Sequence, residues 1–348
     1  MPPIWDAVRF ASDQSPEPGQ FILTGSATPA HKGILHSGTG RIGKFRMRTM
    51  SLYESDDSSG QISLSDLFSN TLSPMMTGEA ALTHLINLTV RGGWPGSLNI
   101  QAPVSTDLAK SYLDTVIHED IYRVDGVKRD WQKALFLLRS LARNECTMAS
   151  NTKLASDIQE YEGEAIDRNT VFSYLDIFRR LFILDDRPAF SPNFRSSIRV
   201  GKSAKRHYAD PSLAAAALGL TPSMLFHDLH TFGFLFESLC ERDLRIYAEA
   251  NDGHLFHYRD DQNREIDAVV EMADGQWDAF EIKLGMNQID QAAANLLSIK
   301  KSHEGTCPRT IMCHLRHVQH GLYQKRRRSG CTYYSIERIG NNSDILYY

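Results

Sequence analysis

The strongest constraint on this chain lies between Gly233 and Gly285, where charged side chains interrupt runs that are otherwise apolar. Glu237 follows Phe234-Leu235-Phe236. Asp267 sits in Ile266-Asp267-Ala268-Val269-Val270. Glu281 and Lys283 flank Ile282 in Ala279-Phe280-Glu281-Ile282-Lys283-Leu284. A carboxylate carried into an apolar environment is costly unless it meets a partner or a cation.

Local patterning predicts where these groups point. Apolar residues at 232, 235, 236, 239 and 244 have helical spacing and predict a helix over 230–249. Leu255–Tyr258 reads as a strand closed by a polar turn at 259–263. Glu265–Met272 reads as a second strand, closed by Ala273-Asp274-Gly275, and Trp277–Leu284 as a third. Alternation along a strand puts Glu281 and Lys283 on one face, and Asp267 on the neighbouring strand can face them. Two converging carboxylates beside a lysine suit a hard divalent ion, Mg2+ or Mn2+. Such an ion can polarise a phosphodiester and help generate hydroxide, while the lysine offsets developing charge or positions the water. Glu-x-Lys alone is a weak motif that an ordinary surface hairpin also produces. The order Glu-helix, strand, Asp-strand, Glu-x-Lys-strand is much more specific.

This arrangement resembles the PD-(D/E)xK, or restriction-endonuclease-like, nuclease superfamily. The resemblance makes Asp267 the motif aspartate, Glu281 and Lys283 the (D/E)xK pair, and Glu237 the acid of the first core helix. The phrase Tyr258-Arg259-Asp260, Arg264-Glu265-Ile266-Asp267, Glu281-Ile282-Lys283 is closer still to the C-terminal domain of unknown function in prokaryotic AAA-type ATP-binding proteins. Phe21-Ile22-Leu23-Thr24-Gly25-Ser26-Ala27 is similar to the sensor strand of that family, and Gly40-Arg41 and Met50-Ser51-Leu52-Tyr53-Glu54 to its next landmarks. Members carry a P-loop and an acidic Mg2+-binding strand before this point. No G-x-x-x-x-G-K-[ST] occurs in this sequence, so ATP loses its main supports and ATPase activity is not expected.

The implied organisation is mixed α/β. Residues 1–70 are a remnant of an AAA-type core and 71–125 a helical lid-like segment. Residues 126–205 are a winged-helix-like region and 206–348 a nuclease-like domain. Within the first part, Trp5–Ala11 predicts a short amphipathic helix and Gln20–Ala27 a buried strand. Pro74–Val90 predicts a helix capped by Ser73, and Asp107–Ile121 another, with Tyr112, Val116 and Ile117 inward. In the middle, helices are expected over 131–141, over 152–158, and from Asp167 or Asn169 through Phe182. Leu181–Phe190 and Ile198–Val200 would make the wing. Arg199, Lys202, Lys205 and Arg206, with Arg195, are the best phosphate-binding patch there. The third helix is poor in cations near its start, which argues for a packing module over base-specific readout. Pro211 opens a helix over 212–218. After Lys283, a helix over 288–301 and strands over 309–315 and 332–336 are expected, with Lys325–Arg328 a solvated turn.

The net charge of −4 provides no global field toward nucleic acid, so contacts with it must be local. The cysteines at 146, 240, 307, 313 and 331 contain no Cys-x-x-Cys pair and fit reduced thiols in a cytoplasm. No signal peptide and no apolar run of membrane-spanning length occurs, so no membrane partner is expected. His303, Cys307, Cys313, His314, His317 and His320 cluster in sequence without finger-like spacing and read as ordinary core and surface residues. The expected activity is Mg2+-dependent phosphodiester hydrolysis of nucleic acid, DNA favoured. The alternative is a non-catalytic regulatory or nucleic-acid-binding module, with a protein partner or oligomer open in either case.

Overall fold

The computed structural model describes residues 2–14, 17, 19–27, 42–60, 62–69, 81–100, 104–162, 166–302, 309–314 and 331–335. Helices dominate the first two thirds: α1 (Pro2–Asp13), α2 (Leu64–Ser69), α3 (Leu82–Arg91), α4 (Val104–Thr115) and α5 (Ile121–Asp125). They continue as α6 (Trp131–Arg143), α7 (Asn151–Glu162), α8 (Arg168–Arg180), α9 (Ile198–Gly201), α10 (Pro211–Ala217), α11 (Pro222–His227) and α12 (Leu229–Ala250). Asp130 and Asp167 cap α6 and α8 by accepting hydrogen bonds from the first-turn N–H groups that a helix leaves without internal partners. Asp210 does the same for α10, with Pro211 at its first position. Every side chain of α10 is buried, and it packs against α3, α4, α6 and α12.

Three strands follow α12: β1 (His254–Arg259), β2 (Glu265–Glu271) and β3 (Trp277–Lys283). Helix α13 (Ile289–Ser302) then crosses over to β4 (Arg309–His314) and β5 (Cys331–Ser335). The five strands lie in sequence order, antiparallel from β1 to β3 and parallel from β3 to β5. The parallel step needs a helical crossover, which α13 supplies. Both faces of β2 and β3 are covered. Ala268, Val270, Phe280 and Ile282 join the core that includes Leu235, Phe236 and Leu239 of α12. Ile266, Val269, Trp277 and Ala279 pack with Phe190 and with Leu296 and Ile299 of α13. Only Lys283 of β3 reaches partial exposure. The free edge of β1 is covered by residues 188–190: Phe190 N–H donates to His257 O (2.7 Å) and His257 N–H to Pro188 O (3.0 Å).

Several expectations are corrected. Gln20–Ala27 is not a buried strand: Phe21, Ile22 and Leu23 are exposed, Ile22 at 89%. A strand is stabilised by neighbours in a sheet, and the sheet of the described residues lies wholly in the C-terminal part. The helix expected from Pro74 is described from Leu82, residues 70–80 lying outside the described set. Residues 198–201 form α9 instead of a wing strand. The segment after α8 pairs with residues 205–208, Leu184 opposite Tyr208 and Arg187 opposite Lys205. Tyr112 is partly exposed and stacks on Trp94, ring centroids 5.1 Å apart, while Val116 and Ile117 are inward as expected. Lys325–Arg328, His303, Cys307, His317 and His320 lie outside the described residues.

Candidate active site

Ala268 stands opposite Phe280, which sets Asp267 beside Glu281 where β2 and β3 run together. The Lys283 ammonium lies between the two acids, 2.6 Å from Asp267 Oδ2 and 2.7 Å from Glu281 Oε2. Asp267 Oδ2 also accepts the Ile282 N–H at 2.7 Å. The outer oxygen of Glu281, Oε1, accepts from Asn295 Nδ2 of α13 at 2.8 Å. Each of the two acids is thus fixed by a second hydrogen bond besides Lys283. Glu281 is buried, while Asp267 and Lys283 keep 15% and 23% of their side chains exposed, so the cluster opens to solvent on one side.

The electrostatics follow from this geometry. Burial, then the Asp267 charge, push Glu281 up to about 8 against the opposing pull of Lys283. Burial works to lower Lys283, but the two acids outweigh it and hold the ammonium above its ordinary range.

Glu237 lies on α12 and meets the cluster through a second lysine. Lys205 Nζ pairs with Glu237 Oε1, with Glu241 Oε1 at 2.7 Å, and donates to the Asp267 carbonyl at 3.1 Å. Burial lifts Glu237 to about 7 despite Lys205, with Asp267 and Glu241 adding to the rise. Glu241 is held low: burial would raise it, but His207, Lys205 and Arg187 prevail. His207 Nε2 stands 3.0 Å and Arg187 Nε 3.4 Å from Glu241 Oε2.

The four cations expected to bind phosphate do not form one exposed patch. Lys205 is buried between Glu237 and Glu241. Arg206 is buried on Ala149 O, Asp186 and Asn151. Arg199 makes a bidentate pair with Glu271 and stacks over Phe190 and Phe194 at 4.9 Å. Lys202 donates to Arg259 O at 2.7 Å and keeps 27% of its side chain exposed. The acids of α12 and of the sheet draw Lys205 and Arg199 inward, and Asp186 takes Arg206, as buried carboxylates require partners.

Sequence reasoning missed Glu241, His207 and Asn295, and took Lys205 for a surface group. Glu241 was discoverable, since it follows Glu237 by one helical turn and shares its face. Asn295 carried no local signal.

Residues 82–224 match a family model described as Domain of unknown function (DUF8612), and residues 232–330 match Domain of unknown function (DUF4143). The second is commonly found in AAA-ATPase-associated proteins. No curated protein and no solved structure matches this chain.

The donor set fits a divalent cation. Asp267 Oδ2 and Glu281 Oε2 already converge on one point, where the ammonium of Lys283 stands. Magnesium accepts one or two carboxylates and completes its shell with water, which the partly exposed side of the cluster can supply.

Proposed function

We propose that this chain is a metal-dependent phosphodiesterase acting on nucleic acid, DNA favoured, with a restriction-endonuclease-like C-terminal domain. The observation that carries the reading is the convergence of Asp267 and Glu281 on a single cationic point. The order helix, three antiparallel strands, helix, parallel strand supports it. Residues 126–205 are then a winged-helix-like packing region.

Asp267 and Glu281 would hold Mg2+ or Mn2+. When bound, the ion would polarise the phosphodiester and acidify water. Lys283 would swing from the acids toward the phosphate and offset its growing negative charge. Ile282 N–H would keep Asp267 oriented, and Asn295 would do the same for Glu281. Glu237 would act through Lys205, which supports the Asp267 backbone. Of the four cations, Lys202, with 27% of its side chain exposed, would meet a phosphate.

A second reading, a non-catalytic regulatory or nucleic-acid-binding module, is favoured by the same lysine. Lys283 satisfies both acids internally, as a purely structural cluster would. Incubating the purified chain with single-stranded DNA, duplex DNA and RNA, in Mg2+, Mn2+ or chelator, separates the two. Metal-dependent cleavage lost in Asp267→Asn supports the enzyme. No cleavage of any substrate supports the module.

A further inference from the structure

A second cluster of metal-ligating side chains lies at the junction of α6, the 205–208 segment and α12. Cys146 Sγ is 3.9 Å from His207 Nδ1, and Glu145 Oε1 is 3.4 Å from the same nitrogen. The three donor atoms all fall within 4.8 Å of one another, and all three residues are buried. With Zn–S near 2.3 Å and Zn–N or Zn–O near 2.0–2.1 Å, the edges of a tetrahedral site are about 3.6 Å for S to N and about 3.3 Å for N to O. The observed separations are close to those edges.

We propose that Glu145, Cys146 and His207 form a zinc-class metal site that fastens the helical region to the nuclease-like domain.

The surroundings are those of a metal centre. A metal-bound histidine presents its other ring nitrogen to a carboxylate, which fixes its tautomer. Here His207 Nε2 faces Glu241 Oε2 at 3.0 Å. Both atoms are fully buried, yet neither makes a well-formed hydrogen bond. A metal on Nδ1 would make Nε2 the protonated nitrogen and so the donor to Glu241. Glu145 is held in place as ligating carboxylates are: it accepts from Tyr208 N–H and, at 2.6 Å, from Ser238 Oγ. Charge balances as well. Glu241 already has Lys205 and Arg187, whereas Glu145 pairs with His207. A thiolate and one carboxylate together match a divalent cation, and the thiol proton and the His207 Nδ1 proton leave to solvent on binding.

Two further features fit. Cys146 holds a φ of 59°, which is strained for a non-glycine residue. Its segment is already laced to the opposite side, Cys146 N–H to Arg206 O at 2.9 Å and Arg206 N–H to Thr147 O at 2.7 Å. Glu145 also lines a cavity of about 550 Å³ between α6, α7 and α12. The site neighbours the Asp267 cluster through Glu241 and Lys205, but neither Asp267 nor Glu281 is among its ligands.

The test loads the full chain with zinc, removes excess by dialysis and measures metal per chain, with cobalt as a spectroscopic substitute. We expect one zinc retained per chain, and a thiolate-to-cobalt charge-transfer band. Both should be lost in Cys146→Ser and His207→Gln, and both kept in Cys240→Ser and Asp267→Asn. Retention unchanged in Cys146→Ser would overturn the proposal. If the two ligand variants fail to fold, the cobalt spectrum of the native chain decides: a thiolate band supports the site, and its absence overturns it.

Discussion

Asp267 and Lys283 are joined at 2.6 Å across two neighbouring strands, through the same aspartate oxygen that receives the Ile282 N–H. The site therefore carries its own cation, and any divalent ion must compete with a lysine that the two acids hold firmly charged. This competition makes the cluster legible by titration.

Glu281, pushed up to about 8 from an ordinary 4.5, binds its proton more tightly folded than unfolded. Its contribution to stability is fully present below the unfolded value and is lost as pH rises through the folded one. Urea midpoints measured from pH 5 to 9 should fall across that window. Glu281→Gln, which stays neutral, should flatten the upper part of the slope.

The buried Lys205 provides a second check. Replacing it with methionine removes the cation between Glu237 and Glu241. Breaking a buried pair by deleting one partner costs about 3–5 kcal/mol. Lys205→Met should lower stability by roughly that amount in denaturant unfolding. A change near zero would mean that Glu237 and Glu241 are not held by Lys205.

Asp185 gathers Arg46, Arg48, Arg187 and Arg245 and is held below the ordinary carboxylate range by them, although burial opposes the shift. Its contribution is present above the unfolded carboxylate value and fades as pH falls below it. Arg46 and Arg48 tie residues 42–50 to the rest of the fold through this group. Asp185→Asn should lower stability by about 3–5 kcal/mol and speed tryptic cleavage after Arg46 and Arg48.

ATP should not bind tightly to this chain, since the sequence contains no P-loop lysine and glycine cradle. Calorimetry with Mg-ATP should give no micromolar one-to-one isotherm.

The C-terminal half was legible because its signals are local. The periods of α12, β1, β2 and β3 and the turn at 273–275 set the elements, and alternation placed Glu281 with Lys283. The basic segment at 199–206 was misread because sequence shows charge without its partners. Glu241 and Glu271 are 36 and 72 residues away from the cations they take in. Residues 20–27 were misread for a related reason: an apolar run resembles a buried strand until its neighbours are known. The Glu145–Cys146–His207 cluster was invisible, since Cys146 and His207 lie 61 positions apart.

The most direct measurement is Mn2+ binding followed by electron paramagnetic resonance in the native chain and in Asp267→Asn, Glu281→Gln and Lys283→Met. A shared site predicts a bound Mn2+ that is lost in either acid variant. It also predicts that Lys283→Met, freed of the competing ammonium, binds the ion at least as well as the native chain while cleaving poorly. Native-like Mn2+ binding in both acid variants would contradict the account, because the ion would then sit elsewhere than between Asp267 and Glu281.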